Sequence, residues 1–130
     1  MKSIKTIYLV DDDEDDLFLL QEAISELKLD VRVNTSLNGK DLLGLLNKDV
    51  KYALVLMDVN MPVMNGIETL RTIQQDPDLN HIRSIIMSTY NSEDLKKQAL
   101  GYGAIQFVAK PPLYSGYLKL IEEIFSKSLA

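Results

Sequence analysis

Short apolar runs alternate with longer amphipathic ones along this chain. Thr6-Ile7-Tyr8-Leu9-Val10 reads as a first strand, and Leu17, Leu20, Ile24 and Leu27 recur behind it at helical spacing. Val31-Arg32-Val33-Asn34-Thr35 alternates in the manner of an edge strand, and Leu42, Leu43, Leu45 and Leu46 mark a short helix. Leu54-Val55-Leu56-Met57, preceded by Tyr52 and Ala53 and ended by Asp58, reads as a third strand buried on both faces, with the helical stripe Ile67, Leu70, Ile73 after it. Ser84-Ile85-Ile86-Met87-Ser88 is a fourth strand, followed by a polar helix from Glu93 to Leu100 that stops at Gly101 and Gly103. Ala104-Ile105-Gln106-Phe107-Val108-Ala109 is a fifth, and Leu118, Ile121, Ile124 and Phe125 carry a last helix. Such alternation is what strand–helix units wound around a parallel sheet require. It predicts an α/β fold: a doubly wound, five-stranded parallel sheet flanked by five helices.

In such a sheet the ligand crevice lies beyond the carboxyl ends of the strands, where the winding reverses. The reactive residues of this chain fall at those ends. Strand one runs into Asp11-Asp12-Asp13-Glu14-Asp15-Asp16, strand three ends in Asp58, strand four in Ser88-Thr89 and strand five in Lys110. Burying a lone carboxylate is costly, so Asp58 belongs at an open strand end beside a cation. Met61-Pro62 and Asn65-Gly66 then bend the chain away and leave it facing the crevice. Two like charges 4 Å apart repel by about 4 kcal/mol at an effective dielectric near 20, so Asp11, Asp12 and Asp58 gathered together demand a counter-cation. Hard carboxylate oxygens in a partly hydrated pocket favour Mg²⁺, with Mn²⁺ as the alternative ion. Lys110 adds an ammonium and Ser88 a hydroxyl, which suits the pocket to a phosphoryl group in transfer.

Charge and composition narrow the picture. At 130 residues and 46% hydrophobic content, residues 1–130 read as one domain with a full core and no output domain. Zero cysteines exclude a disulfide framework, a thiolate zinc site and a cysteine nucleophile. No stretch approaches the roughly 18 apolar residues of a membrane span and no signal peptide opens the chain, so a cytoplasmic protein with no membrane partner is expected. A formal net charge of −5 with scattered basic residues argues against direct nucleic-acid binding.

Plainer readings stand beside these. Asp13, Glu14, Asp15 and Asp16 open a helix, where acids favour the dipole, and Asp15 and Asp16 are expected to be surface charge. Asp13 is expected to cap that helix rather than reach a metal through water. His81 lies in a polar connection without partners for a zinc site or a charge relay, and Tyr102 and Tyr114 read as packing or surface aromatics. Asp11, Asp13, Asp15 and Glu22 fall at calcium-loop spacings, but the sixth-place glycine is Asp16. Asp11-x-Asp13 after a strand is also similar to the nucleophile loop of haloacid-dehalogenase-type phosphatases, which usually need a longer chain and a cap.

Val10-Asp11-Asp12, Met57-Asp58-Val59-Asn60-Met61-Pro62 with Gly66, Ser88, and Lys110-Pro111 together resemble the receiver domain of two-component response regulators, of the single-domain chemotaxis type. The resemblance covers essentially the whole chain. It implies a flavodoxin-like sheet of order 2-1-3-4-5, with Asp58 taking a phosphoryl group from a phosphohistidine of a sensor histidine kinase or phosphotransfer protein. It implies Mg²⁺ held by Asp12 and Asp58 side chains and the Asn60 carbonyl, with Asp11 orienting bound water. Lys110 and Ser88 would bind phosphoryl oxygens, and Ser88 and Phe107 would form the switch that alters the face of the fourth helix and fifth strand. Asn60 and Tyr90 would set the dephosphorylation rate, and the Lys110–Pro111 bond would be cis. Asp58 is expected to act as an ordinary ionised carboxylate that needs no general base, and the chain to catalyse nothing beyond its own phosphorylation and dephosphorylation. The pattern departs from the family at Phe107, commonly tyrosine, at Ser88, commonly threonine, and at Pro112. The alternative reading is a receiver-like docking module that works without phosphorylation.

Overall fold

The computed structural model describes residues 3–128, along which strands and helices alternate. The strands are β1 (Thr6–Val10), β2 (Arg32–Ser36), β3 (Ala53–Asp58), β4 (Arg83–Ser88) and β5 (Gln106–Ala109). The helices are α1 (Glu14–Glu26), α2 (Gly39–Leu45), α3 (Gly66–Gln75), α4 (Glu93–Gly101) and α5 (Tyr114–Ser128). All strand pairings are parallel, in the order β2-β1-β3-β4-β5, the doubly wound flavodoxin-like arrangement.

β3 lies at the centre, between β1 and β4, with every residue buried, which is why it reads as an unbroken apolar run. Period-2 alternation sends Ile7, Leu9, Leu54, Leu56, Ile85 and Met87 into one core with α1 and α5. Tyr8, Val10, Val55, Met57 and Ile86 pack on the other side with α2, α3 and α4. The helices begin at side-chain caps. Asp13 accepts from the backbone of Asp15 and Asp16, Asn38 from Asp41 and Ser92 from Leu95, and Asn65 with Glu68 forms a capping box. Each cap contributes about 1 kcal/mol.

Several expectations are corrected. β2 starts and ends one residue later than its alternation suggests, and β5 is two residues shorter at its start. Tyr52 is not strand: its φ is +56, and its carbonyl accepts from Lys5 and Thr6 at the entry to β1. The buried stripe of α5 is Tyr117, Leu120, Ile121, Ile124 and Phe125, so Leu118 lies at its margin. All peptide bonds among the described residues are trans, Lys110–Pro111 included. The trans X–Pro isomer is intrinsically favoured by about 0.5–1 kcal/mol, and Lys110 reaches its carboxylates from it. His81 is exposed as expected, although its Nε2 lies 2.6 Å from the Val50 carbonyl oxygen. Tyr102 carries the Arg71 guanidinium over its ring, and Tyr114 donates to Glu26. No helix among the described residues is long and apolar enough to cross a membrane.

Candidate functional site

Strand register gathers the site. Val10 pairs with Met57, so Asp11 leaves β1 level with Asp58 at the end of β3. Ser88 pairs with Ala109, and the Lys110 backbone N–H donates to the Ser88 carbonyl at 2.8 Å. Alternation then sorts the side chains. Asp11, Asp58 and Lys110 share parity with Leu9, Leu56 and Val108, all on the α1/α5 side. Ser88 and Phe107 share parity with Ile86 and pack on the opposite side.

On the α1/α5 side, the Lys110 ammonium lies 2.7 Å from Asp11 Oδ2, 2.9 Å from Asp16 Oδ2 and 3.6 Å from Asp58 Oδ2. Asp11 Oδ1 accepts from the Asp13 N–H at 3.0 Å, while its Oδ2 faces the Lys110 ammonium. Ligand atoms of Asp11, Asp12 and Asp58 all lie within 4.8 Å of one another. Asp58 Oδ1 is buried without a hydrogen-bond partner. Three converging carboxylates and an orphaned oxygen fit a hard divalent cation, which would supply the missing partner.

The electrostatics reflect this crowding. Burial, and then the negative charge of Asp11, push the Asp58 carboxyl up to about 6 against the pull of Lys110. Asp58 is therefore not the ordinary carboxylate expected from sequence, although it stays mostly ionised at neutral pH. Burial also raises Asp11, opposed by Lys110. For Lys110, burial works to lower the value, but the Asp11 and Asp16 carboxylates overcome it and hold the ammonium above its usual range.

An open cleft of about 600 Å³ exposes this cluster, lined by Asp12, Asp16, Asp58, Asn60, Thr89 and Lys110 among others. Ser88 lies outside it, fully buried, its Oγ accepting from the Tyr90 N–H at 3.0 Å. Tyr90 is 67% exposed and its ring does not line the cleft; Phe107 is half-buried against the α2–α4 core. Behind the site the loop from β3 to α3 folds back so tightly that a Cβ on Gly66 would lie 2.5 Å from the Asp58 carbonyl oxygen.

Two residues of the site were missed. Asp16 is not surface charge: it contacts Lys110, and its Oδ1 accepts from the buried Tyr117 hydroxyl at 3.2 Å. The signal lies in α1, where Asp16 precedes the fully buried Leu20 and Ala23 by four and seven positions and so continues their stripe. Tyr117 likewise stands on the buried stripe of α5.

Residues 7–121 match the family described as the response regulator receiver domain. The chain belongs to this family. It is thus a receiver of two-component signalling. It is 35% identical to a protein-glutamate methylesterase/protein-glutamine glutaminase of Geobacillus kaustophilus, in an alignment covering 99% of this chain and 37% of that protein. It is 31% identical to response regulator Rcp1 of Synechocystis, over 69% of this chain and 65% of Rcp1. The chain thus spans less than two thirds of the length of both relatives. Among solved structures, the phosphorylated cyanobacterial phytochrome response regulator RcpA aligns with a TM-score of 0.86 at 27% identity, covering 98% of this chain and 96% of that one. The Mn²⁺-bound form of Rcp1 aligns with a TM-score of 0.83 at 27% identity, covering 96% and 94%.

Proposed function

We propose that this receiver accepts a phosphoryl group on Asp58 from a phosphohistidine of a sensor kinase or phosphotransfer protein, and works as a phosphorylation-dependent switch. The observation that carries the reading is the placement of the Asp58 carboxylate, at an open strand end, 3.6 Å from the Lys110 ammonium and beside Asp11 and Asp12. In the transfer, an Asp58 oxygen attacks phosphorus and an O–P bond forms. The P–N bond of the donor breaks, and the leaving imidazole keeps the electron pair and takes a proton from water. Asp58 has no proton to lose in its ionised form, so no general base is required.

Asp12 and Asp58, with the Asn60 carbonyl, would hold Mg²⁺, and Asp11 would orient its water; the ion supplies charge neutralisation for the incoming phosphoryl oxygens. Lys110 has three N–H donors and turns one toward a phosphoryl oxygen. Ser88 gives up the Tyr90 N–H and swings through the end of the sheet to donate to another oxygen, and Phe107 packs into the space it leaves. That repacking would change the α4–β5 face and with it partner affinity. Asn60, which lines the cleft, and the exposed Tyr90, two positions after Ser88, are assigned the dephosphorylation rate.

Mass spectrometry after incubation with Mg²⁺ and acetyl phosphate tests this. The expected result is a base-labile gain of one phosphoryl group, absent in Asp58→Asn and in chelator. A folded protein that gains nothing, and binds no beryllofluoride either, would be a docking module instead.

A further inference from the structure

We propose that Asp16 is a positioning residue that competes with the acceptor site for Lys110, and that it ties the occupancy of that site to helix α5 through Tyr117. This deepens the phosphoryl-acceptor reading and rests on it. Lys110 sits 2.9 Å from Asp16 and 3.6 Å from Asp58, so the ammonium is drawn toward α1 and away from the acceptor. The Asp16 carboxylate is itself fixed: its second oxygen accepts from Tyr117, whose ring is buried in the α1/α5 core. One carboxylate therefore joins the end of β5, the first turn of α1 and the first turn of α5.

An ammonium has three donors, and Asp11, Asp16 and Asp58 lie around this one. A phosphoryl group on Asp58 adds negative charge and acceptor oxygens on one side of that balance. Lys110 then moves toward Asp58 at the expense of Asp16, which keeps only its contact with Tyr117. Asp16 thus weakens the grip of the empty site on a phosphoryl group, and its release reports occupancy to α5, on the side of the sheet away from Ser88 and Phe107.

The test compares wild type, Asp16→Asn and Tyr117→Phe. Asn keeps an acceptor for the Tyr117 hydroxyl but removes the charge that holds Lys110. Beryllofluoride titration in Mg²⁺ is expected to show binding about three- to tenfold tighter in Asp16→Asn. Tyr117→Phe, which frees Asp16 without removing it, should give a smaller gain in the same direction, and it serves if Asp16→Asn does not fold. The Tyr117 ring resonances should shift on beryllofluoride binding in wild type and hardly move in Asp16→Asn. Unchanged or weaker binding in folded variants overturns the proposal. A crystal structure of ligand-free Asp16→Asn judges Asp16 apart from any phosphoryl chemistry: Lys110 should close on Asp58, and an unmoved Nζ overturns the proposal. A wild type that binds no beryllofluoride strikes the acceptor reading itself, whichever way that structure turns out.

Discussion

Asp58 pays for its position in the free domain, and pH exposes the cost. Its carboxyl is raised from 3.8 to about 6, by burial first and the Asp11 charge second. A raised folded-state value means the native state binds the proton more tightly than the unfolded chain does. The resulting stabilisation is complete below the unfolded value and is lost as pH rises through 6. Asp11, also raised, adds in the same sense. In chelator, the domain is therefore expected to be more stable at pH 5 than at pH 7 by about 1 kcal/mol, the reverse of ordinary acid denaturation. Asp58→Asn, which removes the buried charge, should flatten that slope and stabilise the metal-free domain at pH 7 by about 1–3 kcal/mol. Denaturant midpoints at the two pH values measure both effects. An equal slope in wild type and Asp58→Asn would show that the strain resides elsewhere.

Strain of a different kind lies in the element that carries Asn60. The Met64 N–H donates to the Pro62 carbonyl at 2.7 Å around Val63, whose φ is +67. This is the positive-φ γ-turn, strained for any L residue and most of all for a β-branched one. Val63 is 76% exposed, so packing returns nothing for that strain. Val63→Asn is expected to raise stability by about 0.5–1.5 kcal/mol, read from the thermal midpoint; a lower midpoint would show that the valine is held by contacts to the loop. The turn also marks the limit of sequence reading at this scale. Pro62 and Asn65-Gly66 announce a bend, but no local pattern places Val63 or Tyr52 at positive φ; at Tyr52 the conformation goes with a carbonyl that accepts from Lys5 and Thr6, far away in the sequence. Strand interiors were legible for the opposite reason, since β1, β3 and β4 are apolar by the requirement of burial on both faces. Asp11, Asp12, Asp58 and Lys110 were legible as strand ends. Asp16 and Tyr117 were not, because the partners of Lys110 and Asp16 stand 94 and 101 positions away and only the packing of α1 on α5 brings them together.

Across the whole molecule, the sheet separates the residues of the proposed chemistry from those of the proposed response. Asp11, Asp16, Asp58, Lys110 and Tyr117 occupy the α1/α5 side, whereas Ser88 and Phe107 occupy the α2–α4 side. A phosphoryl group on Asp58 reaches the second side only at the open carboxyl ends of the strands, where Ser88 stands one position past the residue paired with Asp58. Ser88 is thus the one hydroxyl of β4 placed to cross, since Ser84 lies four positions back toward the other end of the strand. Ser88→Ala should leave the site on the α1/α5 side nearly intact, so Asp58 should still gain its phosphoryl group and lose it in chelator. The far side should fall silent: Phe107 ring resonances, expected to move on phosphorylation or beryllofluoride binding in wild type, should shift by less than about half as much. The substitution also leaves the Tyr90 N–H without its acceptor, at a cost of about 0.5–1.5 kcal/mol, so stability must be measured beside the spectra. If Phe107 responds in full in Ser88→Ala, Ser88 is not the link between the two sides, and the response reaches Phe107 without its hydroxyl.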